Sequence, residues 1–167
     1  MNKASIAICL LATIFFTSCK KDEFNFLSQS HPAIPVTVSN LFGMYNGVPT
    51  VVTSVAGGGS VTITLAIPET SGRTIKEITR VGLATTPANY KVVQGNSVNY
   101  NAAPIPGNGT SATFKTTLTE YNTKTGLTTT ATPGGATTFL ARYFMFLITL
   151  DNGEQIFPVG VRVYVDK

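Results

Sequence analysis

Few residues in this chain can do chemistry, and their spacing decides most of what that chemistry is. The sequence has two cysteines, Cys9 and Cys19, and one histidine, His31. Cys19 follows the apolar run Ala4–Phe16 and the small pair Thr17-Ser18, and Lys20-Lys21-Asp22-Glu23 comes straight after it. So polar a neighbourhood does not suit a cysteine serving as a small buried hydrophobe, which leaves the sulfur as a reactive group awaiting a partner. His31 stands alone between residues 24 and 34, with no second ligand near it to hold a metal. From Val36 onward there are six carboxylates, Glu69, Glu77, Glu120, Asp151, Glu154 and Asp166. No two occupy neighbouring positions on an inward face, as an acid/base pair requires. The same stretch has no histidine and no Ser-x-x-Lys spacing, which removes the usual activated nucleophiles. Asp151-Asn152-Gly153-Glu154 lacks the repeated oxygen ligands of a calcium loop. The expectation is a protein with no catalytic residues, no metal and no cofactor.

The first eighteen residues read as an export signal: Lys3 as the basic start, Ala4–Phe16 as the apolar stretch, and small residues before the cut. Thirteen apolar-leaning residues are too few to cross ~30 Å of hydrocarbon, which takes about 20 in a helix. With Cys19 next, the arrangement resembles a lipoprotein signal peptide. That resemblance implies cleavage before Cys19 and attachment of a lipid to its sulfur. Cys9 is discarded with the signal, so Cys19 is alone in the mature chain, and acylation caps a thiol that could form no intrachain disulfide. Plain secretion is the competing reading, and Phe16 departs from the leucine usual three residues before such a cysteine. The phrase Ser18-Cys19-Lys20-Lys21-Asp22-Glu23 also resembles the start of mature lipoproteins in the Bacteroidota. There Lys21-Asp22-Glu23 would act as the export signal to the outer face of the outer membrane. The implied location is the outer membrane, lipid-anchored at the cell surface, with a periplasm-facing or secreted protein as the alternative.

The elements that would position any site begin after a tether. Residues 19–35 read as the lipidated cysteine and a flexible linker. From Lys20 to Pro35 it stretches to about 50 Å, or averages nearer ~20 Å when flexible. Residues 36–167 then read as one β-domain, rich in Thr, Val, Ile and aromatics and punctuated by Gly, Pro and Asn. Val61, Ile63, Leu65 and Ile67 alternate with Thr62, Thr64 and Ala66, a half-buried strand. Thr50–Val55 is its expected partner across Gly57-Gly58-Gly59. Thr74–Ala84 is a strand with uneven spacing that leaves room for a bulge or a helical turn, Tyr90–Tyr100 is a weaker strand, and Ala112–Tyr121 is another. Thr138–Leu150 and Glu154–Val165 flank Asp151-Asn152-Gly153, whose Asn-Gly suits a hairpin because both residues tolerate positive φ. Pro158 cannot donate to a ladder, so the last strand is an edge strand or kinked there. Val159, Val161, Val163 and Val165 face one way, against Arg162 and Tyr164.

About seven strands with regular turns indicate an antiparallel β-sandwich. Tyr143, Met145, Leu147 and Thr149, followed by Asp151-Asn152-Gly153, resemble the tyrosine-led sixth strand and turn of fibronectin type III and related immunoglobulin-like domains. The chain has no tryptophan, so the core tryptophan of those domains has no counterpart.

The formal charge is +4, but Lys3 leaves with the signal and no basic run occurs in the domain, which argues against nucleic acid. Arg73, Lys76 and Arg80 are the densest group, with Glu77 among them. Recognition remains. The connections Ala102–Gly109 and Asn122–Thr137 are long enough to bind, and Tyr90, Tyr100 and Tyr121 flank them as candidate rings for stacking on a sugar. Asn108-Gly109-Thr110 reads as a turn. The sequence thus points to a binding or adhesion module for a glycan or envelope protein, held to the membrane by its lipid. The alternative is a structural or accessory subunit of a surface assembly or fibre.

Overall fold

The computed structural model describes residues 34–95, 98–129 and 138–166, all within the compact unit Pro32–Lys167. The chain is all-β and sandwich-like. One sheet has the order β1 (Thr37–Val38), β4 (Ser60–Ala66), β7 (Ser111–Thr117), all antiparallel. A second has the order β2 (Gly43–Tyr45), β3 (Val48–Ser54), β11 (Arg162–Asp166), β8 (Thr138–Phe139), with β3 and β11 parallel. The third has the order β10 (Gln155–Ile156), β9 (Tyr143–Leu150), β5 (Ile75–Ala84), β6 (Ile105–Pro106). Reciprocal backbone bonds between Phe144 and Val161, at 2.9 and 2.8 Å, join the second sheet to the third.

Period-two alternation builds the core between these layers. Val61, Ile63 and Leu65 are fully buried and sit opposite Thr116, Phe114 and Ala112 of β7. They share one apolar cluster with Val51, Ile78, Val81, Phe144, Phe146, Ile148, Val163 and Val165. Each such side chain contributes roughly 1.5–3 kcal/mol on leaving water. Phe114 is an aromatic hub, its ring centroid 5.3 Å from Phe144 and 5.8 Å from both Tyr100 and Phe146.

Several expected elements take another form. Thr50–Val55 and Val61–Ile67 are consecutive but do not pair, because the chain changes sheets at the glycines between them. Gly59 (φ 67°) donates its N–H to the Ser54 carbonyl, and its own carbonyl accepts from Leu118. The described residues of Tyr90–Tyr100 form no strand. Tyr90–Val92 forms a 3-10 turn lying over the outer face of the third sheet, where Ala84, Val93, Met145 and Leu147 make a second small core. That cover explains why β9 is apolar on both faces, and why Gly82 lies beneath it: a Cβ there would meet the Val92 carbonyl oxygen at 2.8 Å. The uneven spacing of β5 reflects register shifts between Ile75 and Glu77 and between Ile78 and Arg80.

Ala112–Tyr121 ends as a strand at Thr117. The Thr117 hydroxyl accepts from Glu120 N and caps helix α1 (Leu118–Thr125), which Gly126 closes at φ 67°. The C-terminal segment breaks around Pro158 into β10 and β11. β11 lies between β3 and β8, so it is an interior strand, and Val159, expected on the inward face, is exposed while Val161, Val163 and Val165 are fully buried. Eleven short strands therefore stand among the described residues where about seven were expected. The Asp151-Asn152-Gly153 turn forms with Gly153 at φ 84°, and Asn108-Gly109-Thr110 is a tight turn, Asn108 and Ser111 exchanging backbone hydrogen bonds.

Candidate binding site

Tyr100 N donates to the Val81 carbonyl, while the Asn101 side chain accepts from Val81 N and donates to the Thr79 carbonyl. This lays residues 98–102 against the end of β5 and beside α1. Between them is an open cleft of about 580 Å³, within the range of small-ligand sites. Leu83, Val92 and Val98 supply apolar walls, Asn99 and Lys124 the polar groups, and Ala102 part of the rim.

A closed circuit of hydrogen bonds holds the cleft together. The Thr116 hydroxyl donates to Glu120 Oε2 at 2.8 Å, so its oxygen accepts from the Tyr100 hydroxyl at 2.7 Å. Glu120 Oε1 pairs with Lys124 Nζ at 2.7 Å, one helical turn on. Lys124 Nζ also donates to the Tyr100 carbonyl and lies 4.3 Å from the centre of the Tyr100 ring. The Lys124 and Thr116 hydrogen bonds hold the Glu120 carboxyl below its ordinary range, and burial pushes the Tyr100 hydroxyl up. One strand, one helix and one loop are thus fastened together at a ring that forms part of the cleft.

The three tyrosines proposed for sugar stacking occupy different places. Tyr100 is 6% exposed and Tyr121 1%, with ring centroids 5.5 and 6.0 Å from Phe144. Tyr121 offers no free face to a sugar, and Tyr100 contributes to the cleft while nearly buried. Tyr121 instead accepts from Arg142 N at 3.1 Å through its hydroxyl, whose burial raises its pKa. Tyr90, half-buried, packs against Phe157 at 6.2 Å. The reason is packing: Tyr100 and Tyr121 belong to the main apolar core, and Tyr90 packs against the small cluster on the outer face of the third sheet. Cys19, Lys21, Asp22 and Glu23 lie outside the described residues, as does the Pro133-Gly134-Gly135 stretch of the second loop. Among the described residues no three of His, Cys, Asp and Glu gather as a metal site would need, and no helix is long and apolar enough to cross a membrane.

The surface that sequence reasoning missed is on the second sheet. Phe42 and Tyr164 stack at 5.8 Å and 5°, Tyr45 and Tyr164 at 6.5 Å and 8°, and Phe139 meets both tyrosines edge-on at 5.1 and 5.2 Å. The Arg162 guanidinium lies 4.0 Å from the Phe139 ring centre and 5.5 Å from that of Tyr143, and its buried Nε makes no hydrogen bond. The signal was present: Asn46-Gly47 joins β2 to β3 with φ of 52° and 75°, the same hairpin dipeptide that marks residues 152–153. Finding it would have placed Phe42 and Tyr45 on a strand edge.

Compared with family models, curated proteins and solved structures, the chain matches none.

Proposed function

We propose that this protein is a lipid-anchored, non-catalytic binding module of the cell envelope, built on an immunoglobulin-like sandwich and taking a glycan or protein ligand in the cleft beside Tyr100 and Lys124. The observation that carries this is the cleft's position. The connections Ala102–Gly109 and Asn122–Thr137 and the flanking Tyr100 were expected at a binding site, and Ala102, Lys124 and Tyr100 all line the cleft. Apolar walls with an amide and an ammonium suit recognition, and the ammonium is already engaged by Glu120 and so is poorly placed for acid/base work.

The immunoglobulin-like reading is supported by strand succession. β1, β4 and β7 make one layer, and β3, β11, β9, β5 and β6 follow one another in the opposing one, with β3 parallel to β11. Placement at the envelope rests on Cys19 and its neighbours in the sequence.

Ala102 is exposed at the rim, so Ala102→Trp fills the cleft without touching the core. Glycan-array and pull-down screens with the wild-type protein should yield a ligand that Ala102→Trp loses at unchanged stability. Equal binding by the variant would remove the cleft from the proposal. The second reading, a structural subunit, needs a free sheet edge, and the last strand around Pro158–Val165, expected as an edge or kinked, does not supply it. β11 is flanked on both sides, whereas among the described residues the seven-residue β7 pairs only with β4. A partner kept by Ala102→Trp but lost on Lys115→Asp in β7 would favour strand addition there.

A further inference from the structure

We propose that the exposed aromatic edge formed by Leu41, Phe42, Met44, Tyr45 and Val52 docks on the lipid surface to which the protein is tethered, fixing the orientation of the domain. This inference rests on the reading of Cys19 as a lipid anchor.

Of the seven large apolar side chains that the described residues leave exposed, five sit here: Leu41 44%, Phe42 54%, Met44 57%, Tyr45 40% and Val52 43%. The remaining two, Val98 and Val159, lie elsewhere. Such a concentration marks an interaction surface where scattered single residues would not. It is an edge and not a groove, since Tyr45 and Met44 are successive residues of β2 and point to opposite faces. A soluble ligand needs several polar groups to orient it. The four strands of this sheet carry only two charged residues, Arg162 and Asp166. Arg162 lies against Phe139 and Tyr143, and Asp166 is at the far end of β11. Tyrosine and phenylalanine with one guanidinium and almost no carboxylate suit the boundary between headgroups and acyl chains.

The length of chain outside the described domain selects the lipid surface over other occupants. Leu41 is only seven residues beyond Ile34, the first residue of the described domain. Ile34 lies fifteen residues beyond Cys19, at most about 50 Å of chain, which holds the edge at an effective concentration in the ~mM range next to the bilayer. A contact too weak to recruit a free protein is then sufficient to orient a tethered one.

The mature protein, reconstituted through its native anchor into phosphatidylethanolamine–phosphatidylglycerol vesicles, tests this. With Cys19 acylated, Met44→Cys and Val159→Cys each carry a single label. On vesicles, aqueous iodide quenching of the label at position 44 should fall several-fold, and that at position 159, 42% exposed and outside both the cleft and the edge, should not change. Leu41→Asp/Phe42→Asp alters two exposed residues outside the strands and should restore quenching at position 44. A label at 44 as accessible on vesicles as in solution would overturn the proposal, as would protection appearing only when another envelope protein or a glycan is added. A parallel arm replaces Cys19 with Ser and holds the chain to nickel-chelating vesicles by an N-terminal histidine tag. Protection there with no acyl chain on the native protein would refute the anchor alone, and exposure in both arms would refute the docking edge.

Discussion

Replacing Thr116 by Val should destabilise the domain more than replacing Tyr100 by Phe, although valine preserves the shape of threonine and Tyr100 is the larger residue. Thr116 receives the Tyr100 hydroxyl at 2.7 Å and donates to Glu120 at 2.8 Å. In Tyr100→Phe, Thr116 keeps its donor bond to Glu120 and only an acceptor site is vacated, a loss of about 1 kcal/mol. In Thr116→Val the Tyr100 hydroxyl remains in a residue 6% exposed with no partner, and an orphaned buried group costs about 2 kcal/mol. The bond that Glu120 loses is replaced by water, because its side chain is 43% exposed. The double variant buries no unpaired hydroxyl and should resemble Tyr100→Phe alone. Domains of this size lose roughly 4 °C in Tm per kcal/mol, so the expected falls are about 4 °C for Tyr100→Phe, about 8 °C for Thr116→Val and about 4 °C for the pair. Urea unfolding followed by far-UV circular dichroism, with m values held equal, gives the free energies directly. Additive losses, or a smaller loss for Thr116→Val than for Tyr100→Phe, would refute the circuit described here.

Three further outcomes follow from local geometry. Gly107→Ala would place a Cβ 1.9 Å from the Ile75 carbonyl oxygen, which is backbone and cannot give way, so Tm should fall by more than 10 °C at about 3 kcal/mol. Asn46 holds φ 52° in the β2–β3 turn, so Asn46→Ala should cost about 1 kcal/mol in urea unfolding and Asn46→Gly far less. Glu120 has a folded pKa below its ordinary value of 4.5, so its stabilising contribution is complete above that value and declines as pH falls through the folded pKa. The stability difference between wild type and Glu120→Gln should therefore be constant near neutrality and shrink below about pH 4.5. A difference that grew on acidification would contradict the assignment.

What was legible in the sequence follows from which forces act locally. Strict alternation at Val61–Ile67 and at Ala112–Phe114 fixed the inward faces, because a strand with one buried side has a single acceptable register. The Asp151-Asn152-Gly153 turn was legible for the same local reason. Partner choice was not, since nothing near Gly57-Gly58-Gly59 says whether the chain turns back within a sheet or crosses to the other. The apolar run Thr138–Leu150 concealed a break because β9 is covered on both faces, the outer one by Val92, Val93 and Phe157. Helix α1 had a readable signature, Thr117 and Glu120 at capping-box spacing with Gly126 beyond, but the preceding alternation outweighed it. Among the candidate site residues, tyrosine at a loop boundary was ambiguous between packing and display: Tyr121 is buried, and Tyr100, nearly buried, also lines the cleft. The exposed rings, Phe42 and Tyr45, sit in a segment to which no element was assigned, because β2 is only three residues long.

Intact-mass and peptide mass spectrometry of the protein isolated from its native envelope bears most directly on the proposal as a whole. A polypeptide starting at Cys19, with lipid attached through the sulfur, is the expected species. A mature chain that starts elsewhere, or bears Cys19 as an unmodified thiol, would contradict the anchored module and leave the sandwich free in solution.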